Sequence, residues 1–366
     1  MALALAPFAA FFLALFAVGW WEFAARRIHE PDEVVAGLAM RVVGAVPELP
    51  DPRRRKMSVD SVAEEVLRHN LIESIDAIRT MLLGMFAVGY NLLLGQTGLL
   101  SFGHGAFYAA GAYGLGLFSL HVSAHPLLGI AVGVGAAALL AVAVGFLCVR
   151  SSEVYFSMLT LAFGMLTFAV VWNWREVTGG DDGLIGVMRA KIALGPVALP
   201  IAREGQFYLL VLALFALAVW IAHRIRTSPF GLVLLGMREN AVRVAFAGVP
   251  VRRYRLAVFV ISATFAGLAG ALEALLEGSA RPTMSHWTHS AEPILVTLLG
   301  GLGSLTGPLV GSFLFVALRE IVQRFTEHWM LAFGVILLVI IGAFRGGVVG
   351  TLAQLVARRR PAGGAP

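Results

Sequence analysis

The sequence has little charge, two lysines and a single cysteine. Only 14% of its 366 residues are Asp, Glu, Lys or Arg, whereas charged residues make up about 25% of a typical soluble domain. Residues of the AVILMFWYC set make up 58% of the chain, and the mean hydropathy is +0.82. This shortage of charge excludes a water-soluble globule and predicts an all-α, polytopic membrane protein.

The scarcity of lysine and cysteine excludes several kinds of site. A phosphate-binding P-loop requires Gly-Lys followed by Ser or Thr, but Lys56 follows Arg55 and Lys191 follows Ala190. The chain therefore has no Walker A motif of its own. Cys148 alone can form neither an intrachain disulfide nor a cysteine-based zinc site.

Signals for catalysis and for nucleic-acid binding are also missing. The sequence contains neither His-Glu-x-x-His nor Gly-x-Ser-x-Gly, so we expect no enzymatic activity, no cofactor and no metal ion in this chain. The net charge of +6 comes from basic residues in loops between apolar runs, which is typical of the cytoplasmic loops of membrane proteins. Because no soluble module carries these patches, we do not expect nucleic-acid binding.

Nine apolar segments alternate with polar stretches along the chain. They cover residues 2–25, 76–94, 99–120, 127–149, 154–174, 206–225, 256–277, 293–319 and 329–344. Glycine-dense interruptions occur at 95–105 and at 300–308. Since backbone that leaves a helix at membrane depth must be buried in protein or line a wet cavity, we predict broken or re-entrant helices there. Counting half-helices, we expect nine to ten transmembrane segments.

Composition divides the chain into four parts. Residues 1–25 carry Trp20-Trp21 near their end, shortly before Arg26-Arg27, which predicts an uncleaved N-terminal transmembrane anchor. Residues 26–74 form a charged, Pro-containing linker, in which 58–75 have the apolar spacing of a short surface helix. A membrane domain at 75–346 and a basic C-terminal tail at 347–366 follow.

Basic loops orient the membrane domain. Loop 226–255 carries six arginines and only one acidic residue, Glu239, so we expect it in the cytoplasm and loop 175–205 outside. If 256–277 leads outward, 293–319 must return as two half-segments or not cross at all. Only then does 329–344 run inward and bring the C-terminal arginines to the cytoplasm. The number of membrane crossings that this orientation requires therefore supports a break at the second glycine-dense stretch.

The first glycine-dense stretch has two interpretations. Seven glycines lie between Asn91 and Gly116, and each costs about 1 kcal/mol relative to Ala in a helix interior. One interpretation is an unwound, pore-lining segment with polar contacts from Gln96, Thr97, Ser101 and His104. The other is close helix packing through small residues, including Gly103. Composition alone leaves both open.

Residues 236–246 have the pattern of a short amphipathic helix. Met237, Ala241 and Val244 share one face, while Arg238 and Arg243 lie elsewhere on the turn. Such a helix lies on the membrane surface or docks into a groove of a partner. On these residues alone, the membrane surface is favoured.

A series of motifs then follows in order between about residues 80 and 346. They lie at 91–107, 155–164, 178–184, 228–231, 238–240, 253–256, 265–272 and 298–308. In this order they resemble the permeases of branched-chain amino-acid ABC transporters. The Thr-Gly-Gly-x-x-Gly-Leu turn at 178–184 and the Arg-Glu-Asn stretch at 238–240 are similar to the LivM-type subunit.

The resemblance implies a function and a set of partners. The chain would be the permease subunit of an ATP-driven importer that moves branched-chain or related hydrophobic amino acids across the bacterial inner membrane. It would pair, within the lipid, with a second related permease and two ATP-binding subunits, and a periplasmic substrate-binding protein would deliver the solute. ATP hydrolysis would then take place on the partner subunits, as the missing Walker A motif requires.

The resemblance also implies two sets of site residues. The segment that couples to an ATPase would comprise Arg238, Glu239, Asn240, Ala241, Arg243 and Gly248, so docking on a partner now replaces the membrane surface as the favoured interpretation. The candidates for the translocation path are Gln96, Thr97, Ser101, Gly103, His104, Gly301, Gly303 and Ser304.

Two alternatives and one departure accompany this interpretation. Relatives of this kind also carry urea, amides or aromatic acids, and an ion-coupled secondary transporter would use similar broken helices. The departure is the linker at 26–74, which is longer and more charged than a short connection between two spans.

Overall fold

The structure is a computed structural model that describes residues 59–151, 153–189, 192–194, 197–199, 204–325, 328–343 and 346–351. The predicted anchor at 1–25, the linker up to residue 58 and the tail from residue 352 lie outside the described residues. The described residues from Ser74 onward form one compact unit, and the sites considered below all belong to it.

Helices make up most of the described chain. They are α1 (Val59–Thr97), α2 (His104–His121), α3 (Pro126–Cys148), α4 (Glu153–Asn173), α5 (Arg175–Thr178), α6 (Glu204–Thr227), α7 (Pro229–Phe246), α8 (Val251–Glu277), α9 (Trp287–Gly300), α10 (Thr306–Phe325) and α11 (Trp329–Ala343). The strands are short: β1 (Leu184–Ile185), β2 (Ile192–Leu194), β3 (Val197–Leu199) and β4 (Ser279–Ala280). β1 pairs antiparallel with β4, and β2 with β3.

Six helical stretches in the described part of the chain are long and apolar enough to cross a membrane. They are Ile75–Thr97, Pro126–Cys148, Glu153–Asn173, Gly205–Thr227, Val251–Glu277 and Leu331–Thr351. The predicted all-α membrane class is therefore confirmed. α9 has 14 residues; at 1.5 Å per residue it is about 21 Å long, shorter than the ~30 Å hydrocarbon core.

Both glycine-dense interruptions contain a gap between two helices. α1 ends at Thr97 and α2 begins at His104, whereas α9 ends at Gly300 and α10 begins at Thr306. We call residues 98–103 the first break and residues 301–305 the second break. The short helix predicted at 58–75 is not a separate element, because α1 continues from Val59 into the apolar segment without interruption.

Small residues bring three helices into close contact. α2 packs against both α3 and α8, and α3 also packs against α8. A Cβ atom at Gly111 of α2 would overlap the carbonyl oxygen of Gly267 on α8, and one at Gly133 of α3 would overlap the carbonyl oxygen of Gly111. In lipid, such close backbone approach is a principal source of helix association. Several glycines of the 91–116 stretch thus serve helix packing, which was one of the two interpretations of that stretch.

Gly111→Leu should destabilise the packing of α2 on α8. The added side chain has to displace the backbone at Gly267, and we expect the free energy of unfolding to fall by about 3 kcal/mol, the upper end of the usual cost of overpacking. Denaturant titration of the purified chain in detergent measures this change. Gly135→Leu on α3 is the matched control, because a Cβ there meets nothing within 4 Å. An equal loss of stability in both variants would contradict this account of the packing.

Candidate functional site

Side chains of α1 and α4 satisfy the backbone of the first break. The Tyr90 hydroxyl donates to the carbonyl oxygen of Ser101 (2.9 Å) and accepts from the Ser101 N–H (3.0 Å). Ser157 Oγ donates to the carbonyl oxygen of Leu100 (2.7 Å), and Thr160 Oγ1 accepts from the Phe102 N–H (3.3 Å). Because buried backbone polar groups need partners, these contacts allow the chain to leave the helix inside the protein.

His104 links the first break to α8. Its Nδ1 lies 2.8 Å from Ser101 Oγ and its Nε2 lies 2.9 Å from Ser262 Oγ. The rings of Tyr90, Phe107 and Phe259 meet the imidazole at steep angles with centroids 4.9–5.5 Å away. With both nitrogens bonded and no exposed surface, His104 fixes the position of the break.

Gly103 brings the first break against the backbone of α4. A Cβ atom there would overlap the carbonyl oxygen of Thr160, and a Cβ at Gly164 would lie 3.0 Å from the Gly103 Cα. Only glycine permits an approach this close.

In the second break, Gly301 has a left-handed backbone conformation and Ser304 caps the start of α10. Gly301 has φ 115°, a conformation that side chains rarely adopt. Ser304 Oγ accepts from the Gly307 N–H (2.9 Å), which satisfies a free donor at the start of α10. Gly303 is exposed, and a Cβ atom there would meet nothing within 4 Å.

The two breaks lie beside each other. Asn91 Nδ2, on the last turns of α1, donates to the carbonyl oxygen of Ser304 (3.1 Å). A Cβ atom at Gly95 would lie 2.9 Å from the carbonyl oxygen of Leu302. Among the described residues, Asn91 Oδ1 is a buried acceptor without a hydrogen-bond partner. The sequence separates these breaks by about 200 residues, so only the fold brings them together.

α7 consists of two parts. Asn240 has non-helical dihedral angles (φ −160°, ψ 93°), and its Oδ1 accepts from the Arg243 N–H (2.9 Å). Asn240 thus ends the first part and caps the second, which the sequence pattern had treated as one helix. The second part presents Val242 and Phe246, which are 66% and 88% exposed.

One arginine on the first part of α7 and one at the end of α6 contact the end of α1 and the second break. Arg238 Nη1 donates to the carbonyl oxygen of Gly95 (2.6 Å), and Arg226 Nη2 donates to the carbonyl oxygen of Gly303. The carbonyl of Gly95 is among the last four of α1, which lack partners within the helix. A cation is also favoured at this negative end of the helix dipole.

The structure brings most of the predicted site residues together. Gln96, Thr97, Ser101 and His104 are all buried at the first break, and Gly301, Gly303 and Ser304 belong to the second break beside it. Of the predicted coupling residues, Arg238, Glu239 and Arg243 are exposed, and Arg238 also contacts Gly95 at the end of α1. Sequence reasoning missed Tyr90, Asn91 and Arg226, because their roles depend on contacts with other parts of the chain.

A polar cavity of about 250 Å³ lies at the C-terminal end of α8. It is lined by Glu273, Glu277, Arg281, Thr283, Met284, Thr288, His289 and Glu292. Its acids have partners: Tyr108 donates to Glu273, Arg79 lies 3.7 Å from Glu277, and His289 lies 3.3 Å from Glu292. In the part of the chain that the structure describes, no three His, Cys, Asp or Glu residues are placed to hold a metal ion.

Comparison with known proteins assigns the family. The pattern of the family described as "Branched-chain amino acid transport system / permease component" matches residues 75–352, which is more than half of the chain. The chain belongs to this family. The resemblance seen in the ordered motifs is thereby confirmed.

Individual members of the family agree with this assignment. The chain is 31% identical over 282 residues to the high-affinity branched-chain amino acid transport system permease protein LivM of Escherichia coli (strain K12), covering 70% of this chain and 65% of that protein. It is 30% identical over 286 residues to LivM of Salmonella typhimurium, covering 71% and 66%. LivH of Escherichia coli (strain K12) is 24% identical over 251 residues, covering 63% and 78%.

The match covers only part of the length of these relatives and extends to no solved structure. The chain spans just under two thirds of the length of the LivM relatives that it matches (65% and 66%). No solved structure matches the chain.

His104→Leu should loosen the first break. The substitution leaves the hydroxyls of Ser101 and Ser262 buried without their partner, and we expect the free energy of unfolding to fall by about 2–3 kcal/mol. Denaturant titration in detergent measures the loss. Adding Ser262→Ala to His104→Leu should cost less than the sum of the two single changes, since the pair is coupled. Strict additivity would contradict the proposed link between the break and α8.

Proposed function

We propose that this chain is the transmembrane permease subunit of an ATP-driven importer, which moves branched-chain or related hydrophobic amino acids across the bacterial inner membrane. The observation that carries the proposal is the second part of α7. In a family of membrane permeases, a chain without a Walker A motif presents Phe246 and Val242 to the surroundings beside a loop rich in arginine. Exposed apolar side chains framed by charge are typical of a docking surface.

The expected partners follow from this surface and from the family. Two ATP-binding subunits would supply the energy, and one of them would dock on α7 through Glu239, Ala241, Arg243 and Gly248. A second related permease would lie beside this chain in the lipid. A periplasmic substrate-binding protein would deliver the solute to the opposite end.

The arginines of 226–255 orient the chain in the membrane. We infer that α7 lies in the cytoplasm and that Ile75 and Glu277 lie near the outer surface. α9 then re-enters, and α10 returns outward. Counting α2, α9 and α10 with the six long stretches gives nine segments, and the anchor predicted at 1–25 would be the tenth. The basic tail would then lie inside.

The translocation path is proposed to run past the two breaks. Ser101, Gly103 and His104 hold the backbone of the first break in place, and Gln96 and Thr97 end the helix that precedes it. Gly303 differs from them, because it is exposed and has open space around it. We infer that the path runs along the side of the second break on which Gly303 lies.

The other two interpretations have less support. The same machinery would serve for urea, amides or aromatic acids, and only ligand binding by the periplasmic subunit distinguishes these solutes. An ion-coupled secondary transporter would not need ATP-binding partners, and membership of this permease family does not favour it.

Isolation of the tagged chain from its native membrane tests the proposal. We expect two ATP-binding subunits and a second permease to be recovered with it, and uptake by reconstituted vesicles to require ATP. If the chain is recovered alone, or if an ion gradient drives uptake without ATP, the proposal is wrong.

Phe246→Asp and Ala241→Trp should prevent recovery of the ATP-binding subunits. A charge in an apolar contact or a bulky ring on its surface opposes docking, whereas both changes leave the buried membrane domain untouched. Co-purification measures the effect, and surface labelling of the membrane checks insertion. Phe325→Asp is the matched control, since Phe325 is an equally exposed aromatic residue (85%) at the end of α10. ATPases that still bind Phe246→Asp would remove α7 from the interface.

Gly303→Leu should block uptake while the complex still assembles. The surroundings of Gly303 have room for the side chain, so the fold tolerates it, but an added bulky group would narrow a path that passes there. Uptake into vesicles and co-purification of the partners measure the two effects separately. Normal uptake would exclude Gly303 from the path.

A further inference from the structure

Two arginines on consecutive helices contact the end of α1 and the second break. α6 and α7 are joined by Ser228 alone, and the turn is so tight that a Cβ atom at Gly231 would overlap the carbonyl oxygen of Arg226. Arg226 lies at the end of α6 and contacts Gly303 in the second break. Arg238 lies on α7 and contacts Gly95 just before the first break.

These contacts are directional and charge-assisted. Each guanidinium donates to a backbone carbonyl that no helix uses, and hydrogen bonds from a charged donor are about twice as strong as neutral ones. The Arg238 contact also lies two residues before the kink at Asn240. Any displacement of the second part of α7 therefore reaches Arg238 through one short piece of backbone.

The end of α1 can pass this displacement on to the second break. Asn91 lies one turn before Gly95 and donates to the carbonyl oxygen of Ser304. Its Oδ1 is buried and has no hydrogen-bond partner among the described residues. A buried acceptor without a donor is costly, so a rearrangement that supplies a donor to Asn91 would be favourable. The contacts thus join α7, the end of α1 and the second break in series.

We propose that Arg238 is a positioning residue that transmits movement of α7 to the breaks through the carbonyl of Gly95, and that it does not contact the ATP-binding subunit. This inference rests on the proposed function and refines it, because Arg238 was expected to belong to the ATPase-docking set. Arg238 is exposed like Glu239 and Arg243, but its guanidinium donates to the backbone of the permease itself. Arg226 provides the parallel connection to the second break.

The test uses the complete reconstituted transporter with its binding protein. Arg238→Met removes the donor but keeps a long apolar side chain. We expect the ATP-binding subunits to stay bound and ATP hydrolysis to continue, while uptake per ATP hydrolysed falls about tenfold, the effect of losing one charge-assisted hydrogen bond from the coupled state. Arg238→Lys, which retains a charged donor, should recover most of the uptake. Arg150→Met, an exposed arginine just after α3, should leave both rates unchanged.

Two outcomes would overturn the inference. If Arg238→Met releases the ATP-binding subunits, the residue acts on the partner. If uptake per ATP is unchanged, the contact with Gly95 has no role in coupling. Either outcome leaves the proposed function intact. The proposed function would fail only if the unaltered chain bound no ATPases or transported without ATP.

A distance measurement tests the inference even if Arg238→Met does not fold. In a Cys148→Ser background, spin labels at the exposed residues Leu232 on α7 and Thr306 beside the second break report their separation. Because the contacts join α7 to both breaks, this distance should stay constant when ATP binds to the complete transporter, while the distance from Leu232 to a label at the exposed Leu139 on α3 should change. A change between Leu232 and Thr306, or no change in either distance, would overturn the proposal.

Discussion

A buried carbonyl group outside a helix is cut off from water and must find a donor within the protein. The two breaks create several such carbonyl groups, and other helices supply the donors. Tyr90 and Ser157 meet the first break, Arg226 and Asn91 meet the second, and Arg238 meets the end of α1. Because these donors lie on α1, α4, α6 and α7, the breaks cannot shift without moving the helices that satisfy them.

Close helix packing brings buried polar groups on different helices within hydrogen-bonding distance. Gly111, Gly133 and Gly267 let α2, α3 and α8 approach with their backbones in contact. At that separation His104, at the start of α2, reaches Ser262 on α8 and bonds it at 2.9 Å. A larger residue at the crossing would separate the helices and leave both polar groups buried without a partner, which is costlier than losing the bond alone.

The Arg-Glu-Asn stretch of α7 combines three different roles in consecutive residues. Arg238 bonds the end of α1, Glu239 is exposed, and Asn240 leaves the helix and caps the part that follows. The kink changes the direction of the chain between residues 238 and 241, so one end of the segment faces the membrane domain and the other presents Phe246 to the surroundings. A straight amphipathic helix, as the periodicity at 236–246 predicts, would not separate these two surfaces.

The sequence by itself determined the membrane class, the family and the positions of both breaks, because low charge, ordered motifs and dense glycine are local properties of the chain. It also identified residues such as Ser101, His104 and Arg238 without their partners. Only the tertiary structure decided that the breaks adjoin each other, that His104 bonds Ser262 and that Arg238 caps α1. The reason is physical: each of these contacts joins residues more than 100 positions apart. Composition and periodicity describe neighbours along the chain, whereas the hydrogen bonds of buried backbone groups depend on neighbours in space.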